Sequence, residues 1–157
     1  MSDKNDVVVR QATIFDLEMV APMFDAYRQF YRKQGDLELA RRFLRERFEH
    51  GESIIFVAVR EDGCGAGFTQ LYPSFSSASA ARILILNDLF VVPEARRKRV
   101  GALLLSAAAR YGQAVGAVRL TLTTEVTNAS AQALYEREGW VRQEDFYTYN
   151  LAIEPKA

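Results

Sequence analysis

After Arg82, a run of apolar residues to Val92 is broken only by Asn87 and Asp88 and is closed by Pro93. No other stretch limits the fold so tightly. A strand apolar on both of its alternating faces must be covered on both sides. A helix-forming run, Val100–Val115, comes after a short loop, with Leu104, Ala107, Ala108, Tyr111 and Val115 on one side. Strand, short loop and helix form the unit from which a sheet with helices on both faces is built.

The rest of the chain repeats the theme. Val7–Ala12 reads as a first strand. Thr13 and Asp16 have the spacing of a capping box. The helix they open carries Leu17, Val20, Phe24, Tyr27 and Tyr31 on one face, and Pro22 is expected to kink it. A second amphipathic helix carries Leu37, Ala40, Leu44 and Phe48 and stops at Gly51. Ser53–Arg60 and Gly65–Tyr72 read as strands joined by the turn Glu61-Asp62-Gly63. Pro73–Ala81 reads as a loop. Val118–Thr123 reads as a strand, Asn128–Glu138 as a short helix ended by Gly139, and Trp140–Val141 and Tyr147–Ile153 as closing strands. The expected fold is one α/β domain over residues 1–157. It has a mixed sheet of about seven strands, helices on both faces, and the order β-α-α-β-β-β-α-β-α-β-β. Only the polar Met1–Asp6 is expected to be disordered.

Composition removes several function classes. Lys plus Arg and Asp plus Glu each number 20, so the chain has no net charge, and neither nucleic acid nor an anionic membrane is an expected partner. Cys64 is the only cysteine and His50 the only histidine, so no metal site is expected and a Ser-His-Asp triad is disfavoured. Met1–Arg10 lacks a signal-like apolar run, and no stretch approaches the roughly 20 apolar residues of a membrane span. The expected location is the cytoplasm.

The chemistry concentrates in Asn87–Leu105. A buried strand runs into Arg96-Arg97-Lys98-Arg99, then Val100 and Gly101, and an apolar helix starts at once. A helix N-terminus has unpaired N–H groups and partial positive charge, which suit a pyrophosphate. A glycine there lets backbone come close to the phosphates, and the basic side chains can meet further phosphate charge. The other reading of the basic run is a solvated helix start.

A second segment, Asn128–Trp140, decides between them. With Arg96–Gly101 it resembles the two motifs of the GNAT superfamily of N-acetyltransferases. The first is a strand, then (Gln or Arg)-x-x-Gly-x-(Gly or Ala), then a helix. The second is matched by Asn128, Ala131, Leu134, Tyr135, Gly139 and Trp140. Arg99 stands where the first pattern usually has glycine. Within the superfamily, Asn87–Val91 is similar to the matching stretch of yeast histone and D-amino-acid acetyltransferases, and to the acidic pair of polyamine acetyltransferases.

The resemblance implies acetyl-CoA as cosubstrate and direct attack of an amine in a ternary complex. It implies that the strand before the loop is bulged and splayed, so that the backbone of Leu89, Phe90 and Val91 pairs with the pantetheine arm. It implies that Arg96, Arg97, Lys98, Arg99, Val100, Gly101 and Ala102 hold the pyrophosphate, and that Asn128 bonds to the arm near the reacting end. Tyr135 occupies the family's proton-donor position; its other reading is a core tyrosine. Asp88 and Glu125 are the candidate bases. Asp88 sits inside an apolar strand, where a carboxylate is costly unless bonded or used, and Glu125 also reads as a solvated loop residue. Asn87, Asp88, Tyr27, Tyr31 and Phe75 are the candidate acceptor contacts, with packing as the alternative for the three aromatics. A homodimer through the C-terminal strands is expected by the same resemblance. Three readings compete: a small-molecule amine acetyltransferase, a protein lysine or N-terminal acetyltransferase, and a CoA-binding module without catalysis.

Overall fold

Residues 7–156 are described by the structure, a computed structural model, so the expectation for Met1–Asp6 falls outside them. Strand β1 (Val8–Gln11) leads to a reciprocal cap. The Phe15 N–H donates to Thr13 Oγ1 and the Thr13 N–H donates to Asp16 Oδ2. Arg10 grips the same carboxylate with two nitrogens, at 2.7 and 2.8 Å, and holds its pKa below the ordinary value. The strand is thereby tied to the start of helix α1 (Leu17–Phe30). This helix runs on through Pro22, against the expected kink. The donor that proline lacks would have reached Glu18, in the first turn, so only one bond near the helix start is lost.

Helix α2 (Leu37–His50) is capped by Asp36, whose Oδ1 accepts from the Leu39 N–H, and ends at Gly51 in the left-handed conformation. The two helices meet at Phe24 and Phe43, stacked at 5.4 Å. Together they bury Val20, Phe24 and Leu44 against Val57 and Phe68 of the sheet. Each such side chain contributes roughly 1.5–3 kcal/mol of burial.

The sheet has five strands in the spatial order β1-β2-β3-β4-β5. Strands β2 (Ile54–Val59), β3 (Gly65–Ser76) and β4 (Ala81–Val91) form an antiparallel meander with β1, and β5 (Leu120–Thr121) lies parallel to β4. Most of the expected Pro73–Ala81 loop is strand: β3 continues to Ser76 and turns directly into β4. Pro73 is tolerated because β3 pairs with β2 only as far as Leu71, so a residue lacking an N–H leaves no ladder bond unmade on that side.

Helix α3 (Val100–Ala114) covers the opposite face, burying Leu104, Leu105 and Ala108. Helix α4 (Ala129–Arg137) comes after β5. The order through α4 is as expected, but the sheet has five strands, not about seven. Neither Trp140–Val141 nor Tyr147–Ile153 forms a strand; beyond Trp140 the chain is irregular and exposed. An apolar alternating segment becomes a strand only where a neighbour's backbone pairs with it, and among the described residues this one pairs with none. No helix among the described residues is long and apolar enough to cross a membrane.

The register of β3 against β4 slips at one point. Gln70 lies opposite Asp88 and Leu71 opposite Leu86, so Asn87 is an extra residue in β4. The slip reverses which face each later residue occupies. Leu84 and Leu86 pack beneath α3, whereas Phe90 packs on the α1 side. Asp88 shares that second face and is turned toward α1.

Gly67 shows how closely β3 and β4 approach beyond the bulge. A β-carbon on it would lie 2.6 Å from the Phe90 carbonyl oxygen, inside contact distance. Gly67→Ala is expected to destabilise the protein by about 2 kcal/mol, as overpacking does. Urea unfolding checks this, and an unmoved midpoint would contradict the packing described.

Candidate active site

The bulge creates the site's first requirement, a partner for Asn87. Its carbonyl, displaced from the ladder, accepts from the Tyr27 hydroxyl at 3.0 Å. Its side-chain amide donates to Asp88 Oδ1 at 2.7 Å, and Gln70 Nε2 donates to Oδ2 at 2.6 Å. Asp88 is 1% exposed. Burial raises its pKa, while the bonds from Asn87, Gln70 and Tyr27 offset part of that rise. The phenol of Tyr27 is itself pushed well above the ordinary range by burial and then by Asp88.

The second consequence lies on the other edge of β4. Pairing with β5 is confined to Leu84 opposite Leu120 and Ile85 opposite Thr121. Past the bulge the two strands separate, and Leu89, Phe90 and Val91 face an open cleft of about 1090 Å³. A strand edge stripped of its neighbour offers backbone groups to an extended ligand.

The end of β4 feeds a short 3-10 turn at Pro93–Ala95 and then the basic loop. Arg97 and Arg99 both have left-handed backbone, with φ of 62° and 65°. Arg99 occupies the position where the motif usually has glycine, and the same backbone conformation is imposed on an arginine at a cost of about 1–2 kcal/mol. The Leu103 N–H is the first in α3 to reach back, to the Arg99 carbonyl at 3.0 Å. The N–H groups of Val100, Gly101 and Ala102 therefore have no acceptor within the helix. With the positive end of the helix dipole they form an anion cradle. Arg96, Arg97 and Arg99 line the cleft here; Lys98 does not. Arg96 is anchored, its Nε donating to the Val91 carbonyl at 3.0 Å.

Gly101 has a second reason to be glycine. A β-carbon there would meet Leu134 Cδ2 at 3.0 Å, so its absence lets α3 and α4 approach. Helix α4 forms the opposite wall. Asn128 is its N-cap, with Oδ1 accepting from the Ala131 N–H at 3.2 Å, which leaves its Nδ2 as the group for a ligand. One face of the helix brings Leu134 and Tyr135 into the same cleft. The Tyr135 hydroxyl is pushed up to about 12 by burial and then by Tyr31, so it carries its proton at neutral pH.

At the far end Tyr27 and Tyr31 stand edge to face at 5.0 Å and line the cleft with Phe30. The Tyr31 pKa is raised by burial, then by Glu125 and Asp88, so two carboxylates bear on this end. Glu125 is bonded to Arg32 across the gap between α1 and the loop before α4, at 2.9 Å. The cleft is thus basic at the α3 terminus and aromatic over carboxylates at the acceptor end.

Of the residues expected at the site, Phe75 is not brought to it: it is exposed on the β3–β4 hairpin, with Arg82 over its ring at 5.1 Å. Asn87, Asp88 and Glu125 stand behind or beside the cleft and do not line it. Gln70, Phe30 and Arg32 belong to the site and were not expected there from sequence. Gln70 is a polar residue between Phe68 and Leu71, the same signal that singled out Asp88. Phe30 and Arg32 have no local signal, because their place is set by how α1 ends.

The profile of the acetyltransferase (GNAT) family matches residues 20–140. The uncharacterized N-acetyltransferase YhfO of Bacillus subtilis (strain 168) is 50% identical over 148 residues, which is 94% of this chain and 99% of that protein. The crystal structure of a probable acetyltransferase, 40% identical, superposes with a TM-score of 0.89 over 95% of this chain and 99% of its own. An aminoglycoside N-acetyltransferase in complex with CoA shares the fold, at 17% identity and a TM-score of 0.81, over 98% of this chain and 99% of its own.

The Tyr135 environment can be read directly. A near-ultraviolet phenolate titration of the protein minus that of Tyr135→Phe is expected to show this hydroxyl still protonated near pH 10, where an ordinary tyrosine is about half ionised. A midpoint at the ordinary value would mean that Tyr135 is not desolvated.

Proposed function

This chain belongs to the acetyltransferase (GNAT) family and is an acyltransferase enzyme, and we propose that it acetylates the primary amine of a small, cationic molecule. The observation that carries the reading is the polarity of the cleft. Its basic end suits a pyrophosphate, and its other end sets aromatic rings over the buried carboxylate of Asp88. Cations are favoured against aromatic faces and near uncompensated carboxylates. The likeness of Asn87–Val91 to yeast histone and D-amino-acid acetyltransferases, and of Asp88 to one member of the acidic pair of polyamine acetyltransferases, fits a cationic amine as acceptor.

GNAT acetyltransferases use acetyl-CoA, and the residues present fit it. Bound there, it supplies an acetyl group activated as a thioester, open to attack by a neutral amine with release of thiolate. The N–H groups of Val100, Gly101 and Ala102, with Arg97 and Arg99, neutralise diphosphate charge. The open edge at Leu89–Val91 pairs with amide groups of the donor's arm, and Asn128 Nδ2 donates to the same arm. Tyr135 keeps its proton until the sulfur departs and then donates it. Asp88, relayed through the Tyr27 hydroxyl or a water, takes up the proton that the acceptor amine sheds. Its raised pKa brings it closer to the range in which a base works. Glu125, engaged by Arg32, serves as a charge at the cleft mouth. The working form in this reading is a homodimer.

A panel of amines with acetyl-CoA, followed by thiol release, tests the acceptor. Turnover is expected with small di- or polycationic amines and not with folded proteins; acetylation of protein lysines alone would overturn the small-molecule assignment. Tyr135→Phe is expected to lower kcat on the order of 10²-fold with the KM for acetyl-CoA nearly unchanged. Matched losses in both would contradict proton donation. In the wild type, activity should rise with pH as Asp88 loses its proton, at a pKa above the usual carboxylate range. Asp88→Asn should remove that lower limb. A variant profile identical to the wild type would exclude Asp88 as the base.

A further inference from the structure

Gln70 lies wholly inside the domain, 0% exposed, at the register position opposite Asp88. Its Nε2 donates to Asp88 Oδ2 at 2.6 Å. Its Oε1 is buried and has no hydrogen-bond partner among the described residues. An apolar side chain of the same size would avoid that cost, so packing alone does not account for a glutamine here.

The surroundings of Asp88 show what the amide is needed for. Tyr27 and Tyr31 face it from α1, Tyr72 from β3 and Asn87 from β4. Glu125, before α4, bears on Tyr31, and Arg47 of α2 bears on Tyr72. The bonds to the carboxylate itself come from neutral groups. An ionised Asp88 therefore depends on N–H donors. A protonated Asp88 needs the opposite, an oxygen to receive its O–H. The Tyr27 hydroxyl is engaged by the Asn87 carbonyl, and Asn87 is exposed, so its amide can turn to water. Gln70 is closed off from solvent and must meet both states from one place. Turning its amide about the last side-chain bond exchanges Nε2 and Oε1, which are alike in size, so no neighbour has to move. One polar atom faces away unpartnered in either orientation. The two orientations are then close in energy, and the proton on Asp88 selects between them.

We propose that Gln70 is a positioning residue for proton transfer: its amide donates to the ionised Asp88 and turns over to accept from the protonated carboxyl. When the acceptor's N–H bond breaks, the proton passed on by Tyr27 or a water forms the O–H bond at Oδ2, and Oε1 holds it. When that proton leaves for solvent, Nε2 returns and holds the anion in the same position. The pairing of the two groups stands apart from the acetyltransferase reading. Its use in turnover rests on Asp88 as the base.

Nuclear magnetic resonance on the native chain, without acetyl-CoA or acceptor, tests the pairing. The Gln70 side-chain amide signals are expected to titrate with the midpoint of the Asp88 carboxyl carbon and to stay fixed in Asp88→Asn. Cross-peaks from the Nε2 protons to the Asp88 β-protons should be present above that midpoint and lost below it. Amide signals that do not titrate, or cross-peaks that persist at both ends, would overturn the turning amide. Kinetics test its use. Gln70→Met removes a donor to the charged form, so the rising limb of kcat against pH should move up by on the order of one pH unit, with the KM for acetyl-CoA unchanged. Gln70→Glu, of equal size, sets two carboxyls on one proton and should move the limb further up. A limb that stays in place while activity falls equally at every pH would reduce Gln70 to filling space. Should both variants fail to fold, the titration of the native chain still decides the pairing. A titrating amide beside an unchanged limb in Asp88→Asn would sink Asp88 as the base and leave the pairing standing.

Discussion

One surplus residue in β4 organises the site. Asn87 cannot join the ladder with β3, and its carbonyl must find a donor elsewhere. Tyr27 supplies it from α1, which ties the first helix to the middle of the sheet. The slip also changes the face on which later residues lie. Without it, Asp88 would sit under α3 among leucines; with it, the carboxylate meets Gln70, Asn87 and Tyr27. Two neutral amides and a phenol solvate the charge in part, and burial still raises its pKa. A carboxylate held this way is compact, oriented and reluctant to ionise, which suits a group that must accept a proton in one step and release it in another.

The same bulge governs the opposite edge. β4 and β5 pair just before it and part just after it. The wedge between them is where an extended ligand can lie along β4, and α3 begins at its wide end. The direction of α3 is set by a parallel βα connection, so its positive terminus points into the wedge. The strained arginines at 97 and 99 aim successive N–H groups at the same spot. Strain of this kind persists only where the surroundings over-determine it, and it concentrates at sites that bind. Gly101 joins the two walls, because the lack of a side chain there lets Leu134 come close without shifting.

The C-terminal third is built on a different balance. Residues 7–112 bury core clusters on both faces of the sheet, while α4 and the chain beyond it are held by partial contacts. The α4 wall is therefore the least buried wall of the cleft.

Much of this was legible in the residues themselves. The element order through α4, the Thr13–Asp16 cap, the stop of the second helix at Gly51 and the basic helix mouth all arise from local chemistry. Each needs only neighbours within a few positions. Asp88 stood out because a carboxylate in an apolar strand must be bonded or used, and by that rule Gln70 was legible too. Local chemistry misled where the outcome depends on distant chain. Pro73–Ala81 has loop composition but is largely strand, since β4 returns alongside it. Phe75 has the right type for an acceptor pocket and lies on the wrong end of the hairpin. Tyr147–Ile153 has a strand's alternation but pairs with no strand among the described residues. Sequence alone determined the family and the basic helix mouth, and singled out Tyr135 and Asp88 as candidate proton carriers, because these depend on residue type and short spacing. Tertiary structure decided which face Asp88 occupies, how Glu125 is held by Arg32 and where the sheet ends, because each depends on register and contact between segments far apart in the chain.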